Sequence, residues 1–489
     1  MNLFDVQQAA QAVFGAVEGL GARAPVTGVT IDSREVVEGS LFVALPGTKV
    51  DGHAYVERAL RDGAVAAIVA DDAAPLPPDL AHKALIRTAD PRRALADLAA
   101  WHRLRLTCPV IAITGSNGKS STREMVAALL SPLGPVVQSL KSFNNELGVP
   151  LTILRADADT KALVVEMGTS SRGEIARLVQ IARPTVGVVT NVGAAHVEGL
   201  GSEDGIAEEK GALTRGLPPG GFAILNADDR RVAAMAAGTP AHVVTTSLGD
   251  WHATVWGCDA RRTPRGVEFF LYGKGRMFVP VPGIHNVRNA LLAVAVGLVH
   301  GINAEQMREA FRKVRLPSMR LQRMTLRGAT MVLDCYNANP ASMEAAIEEL
   351  SARPASSSAK MADGRRILAM GDMLELGPRS AEYHYAIGRI AAKKVDALWC
   401  VGPESRFAYE AALDAGMDSS RALWFQSVEA ASESPALTIR RGDVVLLKAS
   451  RGMRIERLAE PLSRRIEVPP SDAAGADLRT AGAEACTVG

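Results

Sequence analysis

The chain has few cysteines, few aromatic residues and almost no net charge, and each shortage argues against a class of function. Its five cysteines, among 489 residues, are scattered and form no C-x-x-C pair. This argues against a disulfide framework and a zinc site, and it favours a reducing compartment. Aromatic residues make up only 4% of the sequence, too few to favour a base-stacking surface for nucleic acid. A net charge of +2 gives no global reason to expect a polyanionic partner.

The sequence also lacks the hydrophobic segments that direct a protein to a membrane. Residues 1–14 have neither the basic start nor the long apolar core of a signal peptide. No apolar run reaches the roughly 20 residues that a membrane-spanning helix needs. These observations predict a cytoplasmic protein without a membrane span.

Length and composition predict a globular chain of about three domains. Hydrophobic residues are 47% of the total and charged residues 22%, which is ordinary for folded proteins. Changes in pattern place the domains at 1–105, 106–315 and 316–468. The remaining residues, 469–489, are rich in alanine and glycine and predict a disordered tail. The Ser- and Ala-rich segment 354–361 predicts a surface loop.

Short apolar runs typical of buried strands alternate with helix-like segments along the chain. In the first domain, strands at 41–45 and 65–69 precede a helix at 91–105. In the second, the strands are 109–113, 162–165, 186–189 and 222–225, and the helices 122–130, 174–181 and 287–300. In the third, the strands are 331–333, 367–370, 397–401 and 444–447, with a helix at 342–350. The alternation predicts right-handed βαβ units, parallel sheets and an α/β fold.

The strongest local signal is the run T-G-S-N-G-K-S-S at 114–121, between a predicted strand and a predicted helix. Its glycines let backbone N–H groups close on phosphate oxygens, and the following helix directs its N-terminal dipole at the anion. Lys119 would reach the β- and γ-phosphates of ATP, and Ser120 would bind Mg²⁺. Ile113 replaces the first glycine of the longer motif, and the alternative is a glycine-rich turn before a helix. The predicted nucleotide contacts are Gly115, Ser116, Asn117, Gly118, Lys119, Ser120 and Ser121.

An acidic residue and a histidine lie at or shortly after the ends of two predicted strands of the second domain. Glu166 ends the strand 162–165, and His196 comes soon after the strand 186–189. The carboxyl ends of parallel strands share one edge of a sheet, so both residues should lie on the rim that carries the phosphate loop. A carboxylate is a suitable Mg²⁺ ligand. The alternatives are a surface carboxylate and a surface histidine, and Lys210, taken alone, reads as a solvated lysine.

Together these motifs resemble the Mur ligase family over residues 27–465, and within it the ligase that adds D-alanyl-D-alanine. The family's short phosphate loop accounts for the missing first glycine. The other matching strings are I-D-S-R at 31–34, F-N-N-E-L-G-V-P at 143–150, G-I-H-N-V-R-N-A at 283–290, D-C-Y-N-A-N-P at 334–340 and G-D-M-L-E-L-G at 371–377. The string at 334–340 is the most discriminating.

The resemblance implies a three-domain α/β enzyme. Its N-terminal domain would bind the UDP-linked substrate, its central parallel-sheet P-loop domain ATP, and its C-terminal domain would be Rossmann-like. The enzyme would use ATP and Mg²⁺ to join D-alanyl-D-alanine to UDP-N-acetylmuramoyl-tripeptide through an acyl phosphate, giving the pentapeptide precursor of peptidoglycan. The third peptide residue would be diaminopimelate or lysine, and the enzyme is expected to be a monomer.

The resemblance also implies roles for single residues. Glu166 and His196 become Mg²⁺ ligands with Ser120, and Lys210 becomes a carbamylated lysine that helps to hold a second Mg²⁺. Asn289 would contact the adenine, Arg320 the ATP phosphates and Asp334 the ribose, with Tyr336 packed near the nucleotide. The implied catalytic residues are Lys119, Lys210, His196 and Arg320. The implied substrate contacts are Ser33, Arg34, Asn144, Asn145, Asn337, Asn339, Ser450 and Arg451.

Two positions depart from the family pattern. Leu333 stands where many relatives have an aspartate, and Ala449 replaces a common glycine before Ser450. Neither change removes a group needed for phosphate transfer. Two alternative functions remain open. One is a different amide ligase of the same superfamily, such as another Mur ligase or a folylpolyglutamate synthase. The other is a nucleotide-binding regulator without ligase chemistry.

Overall fold

The structure, a computed structural model, describes residues 2–47, 50–140, 143–352 and 364–467. The predicted loop at 354–361 and the predicted tail at 469–489 lie outside the described residues. The chain divides into two compact units. The first comprises Met1–Pro317 with Glu375–Gly377, and the second Ser318–Leu374 with Pro378–Gly489. The first unit contains two main sheets and the second unit one, which agrees with an α/β protein of three domains.

The N-terminal part of the first unit is a five-stranded sheet with the order β2-β7-β6-β5-β4. Only the β2–β7 pair is antiparallel, and β1 and β3 form a separate antiparallel pair. The strands are β1 (Phe4–Asp5), β2 (Ala16–Glu18), β3 (Pro25–Val26), β4 (Gly28–Thr30), β5 (Ser40–Val43), β6 (Ala66–Ala70) and β7 (Ala84–Thr88). The helices are α1 (Val6–Ala12), α2 (Val56–Arg61) and α3 (Pro91–Arg103).

The predicted helix at 91–105 is confirmed as α3, and local capping chemistry sets its start. The Asp90 side chain accepts hydrogen bonds from the N–H groups of Arg92 and Arg93, and Pro91 occupies the first turn. Both features favour the beginning of a helix at this point.

The central part of the first unit is a nine-stranded sheet with the order β16-β15-β14-β13-β12-β11-β8-β10-β9. The strands are β8 (Val110–Thr114), β9 (Val136–Gln138), β10 (Ala162–Glu166), β11 (Val186–Val189), β12 (Phe222–Asn226), β13 (His242–Leu248), β14 (Val255–Thr263), β15 (Gly266–Leu271) and β16 (Gly275–Val279). The helices are α4 (Lys119–Leu130), α5 (Gly148–Ile153), α6 (Glu174–Ala182), α7 (Val197–Leu200), α8 (Glu203–Arg215), α9 (Arg230–Ala234), α10 (His285–Val299) and α11 (Ala304–Arg312).

Helices cover both faces of this sheet, and the alternation of residues along β8 shows how. Val110 and Ala112 pack in one core cluster with residues of α3, α5 and α6. Ile111 and Ile113 pack in a second cluster with residues of α4, α10 and α11. A strand buried on both faces needs a continuous apolar run, and that run is what made β8 predictable.

The far end of the central sheet was not predicted. Strands β14, β15 and β16 pair antiparallel, beyond the parallel strands β9 to β14. The sequence of β14 mixes apolar and charged residues, V-W-G-C-D-A-R-R-T, and only two of the nine are buried. A half-exposed strand gives a weaker signal than a buried one, because its polar residues resemble those of a loop.

The second unit holds a six-stranded sheet with the order β17-β18-β23-β19-β20-β21, parallel except for the β17–β18 pair. Its strands are β17 (Gln322–Leu326), β18 (Ala329–Leu333), β19 (Arg366–Gly371), β20 (Ala397–Val401), β21 (Ala422–Phe425), β22 (Ile439–Arg440), β23 (Val444–Lys448) and β24 (Ile466–Glu467), of which β22 and β24 form a separate pair. Its helices are α12 (Pro340–Ser351), α13 (Ser380–Lys394), α14 (Arg406–Asp414), α15 (Val428–Glu433) and α16 (Ala459–Arg464).

No helix among the described residues combines the length and the apolar character needed to cross a membrane.

A buried histidine fixes the loop that follows β19 in the second unit. His384 on α13 is fully buried; its Nδ1 bonds to the Ser380 carbonyl (2.8 Å), and its Nε2 accepts the Met373 N–H (3.0 Å). This arrangement requires a neutral ring with the proton on Nδ1. Burial lowers the pKa of His384 below its ordinary value of 6.5, because the charged ring is poorly solvated there.

Acidification should therefore destabilise the protein through His384. The pKa of His384 is lower in the folded protein than in the unfolded chain. As the pH falls, the unfolded chain therefore binds a proton at this histidine before the folded protein does. The stabilisation that is present above the unfolded-state pKa is then lost. We expect the free energy of unfolding to fall by about 1 kcal/mol more in the wild type than in His384→Gln between about pH 7 and about pH 5.5. Urea unfolding, followed by circular dichroism, measures the free energy of unfolding of the wild type and of His384→Gln at each pH. Parallel pH profiles would contradict the prediction.

Candidate active site

The loop between β8 and α4 has a backbone that only glycine suits at two positions. Gly115 has φ of +148° and Gly118 has φ of +82°. A Cβ at Gly115 would lie 1.8 Å from the Thr190 Oγ1, and a Cβ at Gly118 would lie 2.5 Å from the Asn289 Oδ1. Both glycines are therefore required by close neighbours as well as by backbone geometry. The loop is closely packed before any ligand binds.

Asn191, which follows β11, holds the loop through paired hydrogen bonds. The Asn117 N–H donates to the Asn191 Oδ1 (2.8 Å), and the Asn191 Nδ2 donates to the Asn117 carbonyl (3.0 Å). The Ser116 N–H donates to the Asn191 carbonyl (2.9 Å). Sequence reasoning gave no role to Asn191. The available signal was a polar residue directly after a buried strand, on the rim where ligands bind.

The Lys119 side chain lies back over the loop in this structure. Its Nζ donates to the Gly115 carbonyl (2.7 Å) and, at greater length, to the Ser116 carbonyl (3.5 Å). Because Lys119 begins α4, its ammonium group and the positive end of the helix dipole are at the same end of the helix. This concentration of positive charge favours an anion.

Glu166 ends β10, and its carboxylate is almost completely buried, with 1% of the residue exposed. It accepts hydrogen bonds from the Ser120 hydroxyl (2.7 Å) and from the Asn144 Nδ2 (2.9 Å). An Nη1 of Arg123 lies 3.4 Å from it. The structure thus brings together two of the proposed Mg²⁺ ligands, Ser120 of the phosphate loop and Glu166.

The oxygen donors at this point suit a hard divalent cation. Within the described residues, no three His, Cys, Asp or Glu side chains cluster as a metal site. Mg²⁺ commonly binds one or two carboxylates and completes its shell with substrate phosphates and water. Ser120 and Glu166 fit that mode, in which the protein supplies few ligands.

Lys210 on α8 is buried, with 3% of the residue exposed, so its interpretation as a solvated lysine is wrong. Burial, and then the nearby charge of Lys119, lower its pKa well below the ordinary value, while Glu209 opposes the shift. The Glu209 carboxylate accepts the N–H groups of Gly173 and Ile175 (2.7 and 2.8 Å) at the start of α6. Lys210 is therefore next to a carboxylate whose oxygens already accept backbone hydrogen bonds.

His196 is near the same positive charges. It adopts a left-handed backbone, with φ of +57°, and forms an ion pair with Glu375, which belongs to the first unit. Burial lowers the pKa of His196, the charges of Lys119 and Lys210 act in the same direction, and Glu375 opposes them. The prediction that His196 shares the rim of the phosphate loop agrees with these interactions.

Asn289 lies inside α10 and is not its N-cap. The N-cap of α10 is Ile284. Asn289 is buried, and its Nδ2 donates to the Asn286 Oδ1 (2.9 Å). Its close approach to Gly118 places the proposed adenine contact at the phosphate loop.

Two of the proposed substrate residues of the first unit, Arg34 and Asn145, already have partners. Arg34 is exposed, and its Nε and Nη2 donate to the two carboxylate oxygens of Asp32 (2.9 and 2.6 Å). These bonds lower the pKa of Asp32 to about 2. Ser33 lies in the same 3-10 turn as Arg34. The Asn145 Oδ1 accepts the N–H groups at 147 and 148 (3.2 and 3.0 Å), so its side chain stabilises the turn before α5.

The second unit has its own cluster around Asp334. The Lys448 Nζ lies 2.7 Å from an Asp334 carboxylate oxygen and donates to the Asn337 carbonyl (3.0 Å). The Arg320 guanidinium lies over the Tyr336 ring at 4.2 Å. Lys448 is buried and had no predicted role, although a lysine that ends an otherwise apolar strand was a readable signal.

Other proposed substrate residues of this unit stabilise local structure. The Asn339 Oδ1 caps α12 through the Ser342 N–H (2.9 Å), and the Asn337 Oδ1 accepts the Ala338 N–H (2.9 Å). Ser450 accepts the Leu374 N–H at its hydroxyl (2.9 Å). Arg451 pairs with Glu456 at 2.5 Å. The two departures from the family pattern, Leu333 and Ala449, are buried in the core of the unit.

Three family models match the chain in succession. The model described as Mur ligase family, catalytic domain, matches residues 25–103. The Mur ligase middle domain matches residues 113–297, and the Mur ligase, glutamate ligase domain, matches residues 319–451. The matches follow the three predicted domains in order.

Curated relatives match over nearly their whole length. The UDP-N-acetylmuramoyl-tripeptide--D-alanyl-D-alanine ligase of Bacillus subtilis (strain 168) is 34% identical over 91% of this chain and 94% of its own. The ligase of the same name from Mycobacterium tuberculosis (strain ATCC 25618 / H37Rv) is 37% identical over 94% of this chain and 97% of its own.

Solved structures agree with these relatives. A crystal structure of MurF from Acinetobacter baumannii has a TM-score of 0.80 at 28% identity and covers 94% of this chain and 99% of its own. MurF ligase from Thermotoga maritima, in complex with ADP, has a TM-score of 0.74 at 27% identity and covers 90% of this chain and 97% of its own.

Removing the Asn191 side chain should weaken nucleotide binding. Asn191→Ala loses both side-chain bonds to Asn117, so the loop must be ordered when the nucleotide binds. We expect the Kd for ADP to rise about tenfold, which corresponds to about 1.4 kcal/mol, as measured by calorimetry. The matched control is Asn303→Ala, which removes the N-cap of α11 and should lower stability without changing this Kd. Equal Kd values for Asn191→Ala and the wild type would refute the role of Asn191 in ordering the loop for nucleotide binding.

Proposed function

The chain belongs to the Mur ligase family, and from this membership we propose that it is the ATP-dependent ligase that adds D-alanyl-D-alanine to UDP-N-acetylmuramoyl-tripeptide. The observation that carries the proposal is agreement with ligases of that one name along more than nine-tenths of the chain. The product is the pentapeptide precursor of peptidoglycan. The presence of Lys119, Glu166, His196 and Lys210 together supports this ligase over a regulator without chemistry, and the names of the relatives support a UDP-linked substrate.

Amide formation from a carboxylate needs a leaving group, and ATP supplies it. The terminal carboxylate of the tripeptide attacks the γ-phosphorus of ATP, so that an acyl phosphate forms and ADP leaves. The amine of D-alanyl-D-alanine then attacks the acyl carbon, loses a proton and expels inorganic phosphate. Catalysis consists largely of holding three substrates in line and of neutralising negative charge as two anions meet.

The phosphate loop would bind the ATP phosphates through its backbone N–H groups and Lys119. To do so, the Lys119 ammonium exchanges its bond to the Gly115 carbonyl for the β- and γ-phosphate oxygens. Because α4 starts directly at Lys119, the helix dipole acts on the same phosphates. Asn289, beside Gly118, would contact the adenine side of the nucleotide.

Ser120 and Glu166 would hold Mg²⁺, with His196 as a further ligand. The buried carboxylate of Glu166, already bonded to the Ser120 hydroxyl, provides the oxygen donors that this cation prefers. The bound cation would supply charge neutralisation on the phosphate oxygens.

Lys210 would carry a carbamate. A neutral amine adds to the carbon of CO₂ and loses a proton, giving a carbamate whose two oxygens can bind a metal ion. The depressed pKa of Lys210 favours the neutral amine that this addition requires. The ammonium group of Lys119, whose charge acts on Lys210, would offset the negative charge of the carbamate.

The remaining assignments extend the proposal to the substrates and to the second unit. Arg320 would contact ATP phosphates, Asp334 the ribose, and Tyr336 would pack near the nucleotide. Residues assigned to the two substrates are Ser33, Arg34, Asn144, Asn145, Asn337, Asn339, Ser450 and Arg451. We also propose that the enzyme acts as a monomer in the cytoplasm.

The ligase assignment predicts one product and one loss of activity. With ATP, UDP-N-acetylmuramoyl-tripeptide and D-alanyl-D-alanine, the wild type should form the pentapeptide, detected by mass spectrometry. Lys119→Ala should lose about 1,000-fold in rate while its circular dichroism is unchanged, and Lys313→Ala, at an exposed helix position, should keep full activity. Phosphate release with a different amino acid, and none with D-alanyl-D-alanine, would instead favour another amide ligase of the superfamily.

Carbamylation of Lys210 predicts dependence on CO₂. Enzyme prepared with ¹³C-labelled bicarbonate should show a carbamate signal in its ¹³C spectrum, and that signal should be absent from Lys210→Arg, which keeps a positive charge but cannot form the carbamate. Removal of CO₂ should slow the wild type at least about tenfold, and added bicarbonate should restore it. A spectrum that is the same for wild type and variant would contradict the modification.

A further inference from the structure

Arg123 is a buried arginine next to the phosphate loop that the proposed mechanism does not use. It lies on α4, is 2% exposed, and is the largest of the fully buried side chains among the described residues. Its guanidinium contacts two carboxylates. The Nη2 lies 2.6 Å from a Glu124 oxygen, and the Nη1 lies 3.4 Å from a Glu166 oxygen. A guanidinium stays charged when it is buried, so this charge acts on both carboxylates under all ordinary conditions.

The shorter contact shows which carboxylate holds the guanidinium. Glu124 is itself fixed, because its second oxygen accepts the Gln138 Nε2 (3.1 Å) from β9. Glu166 instead receives its short hydrogen bonds from the neutral groups of Ser120 and Asn144. The positive charge is thus near Glu166 without being tightly bonded to it.

A positive charge at this distance opposes the binding of a cation to Glu166. Like charges repel strongly in a buried, weakly polarisable environment, and the effect is doubled for a divalent ion. If Arg123 were bonded closely to Glu166, it would take the place of the cation. Held by Glu124, it does not occupy the oxygens of Glu166 but reduces their affinity for the cation.

We propose that Arg123 is a positioning residue that sets how strongly Glu166 holds a divalent cation, and that Glu124 controls this effect by keeping the guanidinium away from Glu166. The inference rests on the proposed role of Glu166 as a Mg²⁺ ligand. Its consequence is that the free protein binds the cation weakly, and that strong binding requires the negative charge of the nucleotide phosphates.

A purely structural role for Arg123 predicts different behaviour, and the chain contains a matched comparison. Arg103 on α3 is also buried, but its guanidinium donates to the backbone carbonyls of Leu106, Ala182 and Arg183 (2.9, 2.9 and 3.2 Å). Loss of Arg103 should therefore lower stability without any effect on a cation. Loss of Arg123 should change cation binding as well.

The test measures the Kd of Mn²⁺ for the nucleotide-free protein by electron paramagnetic resonance, with Glu166→Gln used to define binding at this site. Arg123→Gln should bind Mn²⁺ about fivefold more tightly, and Glu124→Gln about fivefold more weakly. Arg123→Lys keeps the charge and should stay within about twofold of the wild type, as should Arg103→Gln.

The possible outcomes separate the two proposals. If Glu166→Gln leaves Mn²⁺ binding unchanged, the assignment of Glu166 as a ligand fails. If Glu166→Gln abolishes that binding but neither Arg123→Gln nor Glu124→Gln shifts the Kd, or both shift it in the same direction, the inference about Arg123 is overturned. Circular dichroism checks the fold, and Glu124→Gln, whose side chain is partly exposed, provides the test if Arg123→Gln does not fold.

Discussion

The first unit depends on the close contact between the loop after β8 and the segment after β11. Gly115 packs against Thr190 with no room for a side chain, and the amide of Asn191 bonds to both the N–H and the carbonyl of Asn117. These contacts fix a loop that would otherwise have to be ordered by its ligand. Pre-ordering of this kind reduces the entropy lost on binding. The contact between the two segments follows from the strand order, because β8 lies directly beside β11.

The same strand order gathers the charges of the site. β10 lies on one side of β8 and β11 on the other, so Glu166 at the end of β10 and His196 after β11 flank the phosphate loop on the same rim. The site therefore combines buried groups of both signs, including Glu166 and Lys210. Each would be costly to bury alone, and their hydrogen bonds and neighbouring charges reduce that cost. Such groups contribute less to stability than to the chemistry that they make available.

Much of this arrangement could be predicted from the sequence, because its strongest signals are local. Continuous apolar runs identified β8, β10 and β11, and the order of glycines and lysine identified the phosphate loop. Burial of Lys210 could not be predicted, since two acidic residues precede it in sequence and the positive charge that acts on it, Lys119, belongs to a distant segment. The roles of Asn191, Arg123 and Lys448 were missed for the same reason: each depends on a partner that is distant in sequence.

The helix α4 has a further consequence for how this enzyme can vary. Lys119, Ser120 and Arg123 project from its first two turns. Lys119 bonds to the loop, Ser120 bonds to Glu166, and Arg123 contacts Glu124 and Glu166. In a helix, every residue turns the chain by about 100°. Inserting or deleting one residue between Gly118 and Arg123 would therefore rotate one part of this set away from its partners while the rest stayed in place. Homologous enzymes should accept changes of residue type within this segment far more readily than changes in its length.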